Sequence, residues 1–127
     1  MTTIDPLTAD DLARKEEILS SFRRECAYSE VEMSSEFDLD ILRHIRYEGV
    51  NGSAIEEVIA SAQGLVVGDF LVRECGCNWC MIISGTERHF AIEHDSFARR
   101  WNMSFFKWSD AKKRFPRRWI AKLRPLP

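Results

Sequence analysis

The segment from Ser53 to Glu74, SAIEEVIASAQGLVVGDFLVRE, constrains the fold more than any other stretch of the chain. Ser53 with Glu56 makes a capping box, in which each side chain satisfies the other residue's orphan backbone N–H, so a helix opens here. Ile55, Val58, Ile59 and Ala62 follow at helical spacing, with Glu56 and Glu57 on the other side. From Gly64 onward the helix is apolar almost all round, and such a helix is buried on more than one side. The pattern predicts a central helix from Ala54 to about Glu74. Gly64 and Gly68 lie four apart, hence on one face. Each costs about 1 kcal/mol of helix stability against Ala, so a close approach by another element is expected there. Asp69 is a charge inside the apolar tract and needs a partner. Arg73 at i+4 would give a local salt bridge, and the alternative is an anchor for a loop or a bound partner.

What precedes this helix is also helical. Thr8 caps a first helix, with Asp11 in the reciprocal position and Asp10 and Asp11 at the positive end of its dipole. Leu12, Leu19, Phe22 and Cys26 form its expected apolar stripe, and it ends near Ala27. A second helix is expected from about Glu36 to Glu48, capped by Ser35 and closed by Gly49. After Gly76 the period changes from helical to two. WCMII, RHFAIEH and MSFFKW read as strands, with SGTE as a hairpin turn. DSFARRWN is a longer connection, SDAKKRF a short helix stopped before Pro116, and RRWIAKLRPLP a further strand or a loosely packed end. Helices followed by antiparallel strands predict an α+β fold. About three N-terminal helices pack on one face of a small antiparallel sheet of three or four strands, in one domain spanning residues 1–127.

Charge divides the chain. Residues 1–64 carry six Lys/Arg against fourteen Asp/Glu, a net of −8, and residues 65–127 carry twelve against six, a net of +6. Such a bipolar chain either packs its halves against each other or offers a pole to a partner of opposite charge. The longest apolar tract is broken by Glu56, Glu57, Gln63 and Asp69, so no membrane span is expected. MTTIDPLTADD has neither the basic nor the apolar region of a secretory leader. A cytoplasmic location is therefore expected, with thiols kept reduced.

Three of the four cysteines fall in ECGCNWCMI. Cys77 and Cys80 have the C-x2-C spacing of a metal knuckle or redox pair, and His89 and His94 follow. Zinc needs four ligands converging on a tetrahedron, whereas His89 and His94 are five apart on a strand and point to opposite faces. The alternative metal set is Cys75, Cys77 and Cys80 with His89. Redox C-x-x-C pairs sit at a helix N-terminus, where the dipole lowers the thiol pKa, and here the helix precedes them. The plainer reading makes them small buried hydrophobes at a helix-to-strand junction. No cofactor is expected. His44, His89 and His94 are accompanied by no G-x-S-x-G, H-E-x-x-H or P-loop, so no enzyme is expected. Glu93 and Asp95 beside His94 are equally typical of an exposed strand end.

The C-terminal segment interleaves Arg and Lys with Trp101, Phe105, Phe106, Trp108, Phe115 and Trp119. Cations with stacking rings serve single-stranded nucleic acid, and Trp with Arg dominates protein–protein hot spots. Alternating strands with solvated bases give the same pattern.

Gln63, Gly64, Gly68, Phe70, Leu71, Gly76 and Trp79 make the chain resemble a family of small bacterial domains of unknown function over residues 53–108. In that family a helix with a Gly-x-x-x-Gly tract leads through a Gly and a Trp into a short sheet. The resemblance implies the α+β order and no activity. The expected function is a small non-enzymatic cytoplasmic binding protein, most specifically an immunity-type protein that neutralises a partner toxin. Expected partner-binding residues are Asp38, Asp40, Glu56, Glu57, Trp101, Trp108, Arg117, Arg118 and Trp119. The acidic helices would suit a basic toxin by analogy with such proteins. The alternatives are a nucleic-acid-binding module using the basic aromatic end and a small metal-binding protein.

Overall fold

A computed structural model describes residues 2–25, 53–104, 106 and 111–123. The elements are β1 (Thr2–Asp5), α1 (Ala9–Glu25), α2 (Ser53–Cys75), β2 (Asn78–Ser84), β3 (Glu87–Glu93), β4 (Trp101–Asn102), α3 (Ala111–Arg114) and α4 (Arg117–Leu123). The fold is α+β, as the period change predicts. The four strands form one antiparallel sheet in the order β1-β2-β3-β4. The second helix expected from Glu36 to Glu48 lies outside the described residues.

α1 starts as its cap dictates. The Thr8 hydroxyl accepts from the Asp11 N–H at 3.1 Å, and Asp11 Oδ2 accepts from the Thr8 N–H at 2.9 Å. Its inner stripe departs from expectation at one position, since Leu12 is 51% exposed while Leu19 and Phe22 are buried. The inward line runs instead through Asp11, Lys15, Ile18, Leu19 and Phe22, two of whose members are charged. A pattern sought among apolar residues alone overlooks such a line.

α2 is the central helix: Leu65, Val66, Val67, Phe70 and Leu71 are all buried. Its two glycines admit two different elements. A Cβ at Gly64 would collide with the backbone carbonyl of Met103, and a Cβ at Gly68 would collide with the Trp79 ring. The chain after β4 and the first strand of the hairpin can therefore sit directly on the helix. Gly76 ends α2 with φ +74°, a conformation that L side chains rarely adopt. The Cys77 N–H donates back to the Leu71 carbonyl at 3.3 Å.

In β2 and β3 the paired residues Trp79 and Ile92, and Met81 and Phe90, belong to the face that packs on the helices. Cys80 pairs with Ala91 on the opposite face. Two expectations are corrected, and one strand is added. Thr2–Asp5, to which the sequence pattern assigns no element, pairs with β2 as an edge strand, too short and exposed to carry an alternation signal. MSFFKW is not a strand among its described residues. The ladder ends at Asn102, and Met103 makes one last bond to the Phe90 carbonyl at 2.7 Å as the chain turns toward Gly64. The C-terminal RRWIAKL is neither strand nor loose end but the helix α4, preceded by Pro116, whose carbonyl accepts from the N–H groups of Trp119 and Ile120.

Candidate functional site

Two charged joints tie α1 to the rest of the domain. Asp11, 4% exposed, receives Arg88 of β3 through Nε at 3.1 Å and Nη2 at 2.6 Å, in addition to its bonds with Thr8. The Arg88 guanidinium foremost, with help from Thr8, holds the Asp11 carboxyl down at about 2, against the opposing effect of burial. The second joint is Asp69. Lys15 Nζ lies 2.8 Å from Oδ1, and the Trp79 indole N–H donates to the same oxygen at 2.9 Å. The Lys15 ammonium also stands 5.5 Å from the centre of the Trp79 ring. Asp69 is an anchor, but it joins α1, α2 and β2 rather than the expected loop or bound partner. The sequence neighbour Arg73 approaches Glu74 and the Phe70 ring.

The cysteine cluster comes apart. Cys77 is buried in the core, Cys75 is half-buried at the helix end, and Cys80 is buried on the opposite side of the sheet. Burial pushes the Cys77 thiol up to about 12 and the Cys80 thiol to about 11, and it raises Cys75 as well. His89 is half-buried at the Ile82 register and contacts Glu87 at 3.2 Å. No three His, Cys, Asp or Glu side chains among the described residues group as metal ligands, so the set Cys75, Cys77, Cys80 and His89 does not converge. Alternation explains it: Cys77 and Cys80 are three positions apart, an odd spacing that strand geometry turns to opposite faces.

At the C-terminal end the rings form one block. Trp119 lies 5.1 Å from Trp101, 5.5 Å from Phe97 and 5.5 Å from His94 between ring centroids, and Phe106 stacks on Phe115 at 5.6 Å. The Trp101 indole donates to the Arg114 carbonyl at 3.0 Å, fastening α3 to β4. Trp101 and Trp119 are 3% and 2% exposed, so their expected role as surface contacts is corrected: their rings are core. Trp108, Asp38 and Asp40 lie outside the described residues. Glu56 and Glu57 fall in the first turns of α2, where the helix course alone is described. Arg117 and Arg118 are exposed on α4 as expected, joined by Lys113, Arg114 and Lys122. Arg99 and Arg118 lie over the edges of the block, 5.0 Å from Trp101 and 5.9 Å from Phe97. Lys122 donates to the Glu74 carbonyl at 2.9 Å, placing a cation at the negative end of α2.

No known protein family and no curated protein matches the chain. A crystal structure of a protein from Bacteroides thetaiotaomicron has the same fold, with a TM-score of 0.63 and 17% identity. The match covers 97% of this chain and 47% of that one, so this chain spans about half the length of its structural relative. At that identity the likeness shows the fold alone. No helix among the described residues is long and apolar enough to cross a membrane.

Proposed function

We propose that this chain is a non-enzymatic binding domain that recognises a protein partner by charge, most specifically an immunity-type protein that masks a toxin. One observation carries the reading. Residues 111–123 hold six Lys/Arg and no Asp/Glu, and Lys113, Arg114, Arg117, Arg118 and Lys122 are exposed above buried Phe115, Trp119 and Leu123. Cations mounted on a packed block steer an acidic surface into register and lose little backbone freedom on docking. The net charge of −8 over residues 1–64 would suit a basic partner. The perturbed groups are in keeping with binding rather than catalysis: Asp11 is held by Arg88, and the thiols are raised by burial rather than activated. Free Cys75, Cys77 and Cys80 suit a reducing cytoplasm. The fold shared with the Bacteroides protein agrees with the α+β order that the sequence resemblance implies.

The test is affinity capture from the source cells with the wild-type chain and with R117E/R118E, followed by titration of the identified partner. A partner retained by the wild type and lost by the variant, at unchanged melting temperature, is the expected result. Equal retention would overturn the basic surface as the contact.

The same cations favour a second reading, contact with nucleic-acid phosphates. Among the described residues its stacking version has lost Trp101, Phe106, Phe115 and Trp119 to the core, which leaves phosphate contact there. It predicts an oligonucleotide affinity that falls steeply with salt and vanishes in R117E/R118E.

A further inference from the structure

We propose that the cleft between α1, α2 and β3 is a binding site for a small amphipathic anion, a carboxylate head on an apolar body. The cleft encloses about 300 Å³, at the lower end of small-molecule sites, and none of the α3 or α4 cations lines it. Its apolar wall is Leu65, Phe90 and Met103, and its polar groups include Arg14, Arg88 and Ser104.

Those polar groups present donors. Arg14 is exposed, its guanidinium carbon 4.7 Å from the Phe90 ring centre, and among the described residues it has no carboxylate partner. Arg88 spends Nε and Nη2 on Asp11, and among the described residues its Nη1 has no hydrogen-bond acceptor. The Ser104 oxygen accepts from the Phe90 N–H at 3.0 Å, which orients the hydroxyl and leaves its proton to donate. Asp11, the carboxylate that holds Arg88, is itself engaged, because its Oδ2 already receives the Thr8 N–H, the Thr8 hydroxyl and Arg88. Asp5 acts on Arg88 only at longer range. Among the described residues two guanidinium groups and no carboxylate line the cleft, and the apolar wall beneath selects a ligand with a body as well as a head. An anion held there would replace water on Arg14 with a charge-assisted bond beside a ring face.

The experiment is calorimetric titration of the full chain with octanoate, 1-octanol and inorganic phosphate, with the Phe90 and Ser104 amide shifts followed in parallel. Octanoate should bind saturably and move both amides, with octanol and phosphate each at least about tenfold weaker, as expected for loss of one charge-assisted bond or of the apolar contact. R14Q should weaken octanoate about tenfold, R14K should recover part of the loss, and R24Q on the same helix should change nothing. Melting temperatures of R14Q and R14K should lie close to the wild type, since Arg14 is exposed and touches the core only at the Phe90 ring face. Failure of octanoate to saturate, equal weakening by R14Q and R24Q, or phosphate binding as tight as octanoate would each overturn the proposal.

Discussion

α1 and α4 meet the rest of the domain in opposite ways. Where α1 docks, charges lie inside the joint: Asp11 on Arg88, and Lys15 on Asp69 beneath the Trp79 indole. Where α4 docks, the rings of Phe115 and Trp119 lie inside and every described cation but the carbonyl-bonded Lys122 is spent on ring edges or solvent. The difference teaches how one chain can use the same residue types for two purposes. Ion pairs orient α1, because a bidentate guanidinium fixes direction as well as distance. Ring packing holds α4 by area and contact, and frees its charges for something else.

Five perturbations sharpen that comparison. Trp119→Ala should cost most, about 4 kcal/mol, because a buried indole leaves a cavity among rings that cannot all close on it. Urea unfolding would measure it. Gly64→Ala comes next, at about 3 kcal/mol, since its methyl would meet the Met103 backbone. Gly68→Ala should cost less, because the atom it meets belongs to the Trp79 ring, and the order of the two midpoints checks the assignment.

The α1 joint is the one that acid should loosen. Asp11 is depressed from 3.8 to about 2, so its contribution is complete above pH 3.8 and is lost as pH falls through about 2. Arg88 is 34% exposed, and solvent screening reduces the contribution to about 1 kcal/mol. The slope of stability against pH over that interval should flatten in Asp11→Asn. R117E/R118E should fall at the bottom of the series, within about 0.5 kcal/mol of wild type by thermal melting. A large loss there would mean that the basic surface takes part in the joint.

The strong signals in the sequence were those with a stereochemical cause. The Thr8–Asp11 cap, the all-round apolar α2, the close approaches at Gly64 and Gly68 and the helix stop at Gly76 were all legible because each feature requires a particular residue. Leu12 misled because Asp11 and Lys15 take the inward positions, and no hydrophobicity count expects paired charges there. β1 carries too few residues to alternate, and α4 interleaves rings with cations at a spacing that fits helix and strand alike. The basic residues of the candidate surface were legible one by one. Which rings beneath them were core was not, because Trp101 and Trp119 meet across a sequence gap that only the fold closes.

The parting of the cysteines at the α2–β2 junction gives the molecule three internal clocks. Cys75, half-buried at the helix end, is alkylated whenever the last turn frays. Cys77 waits for α2 to separate from the sheet, and Cys80 for disruption of the sheet's far face. Labelling kinetics at three positions within six residues therefore rank the order in which this domain opens, with no probe added to the chain.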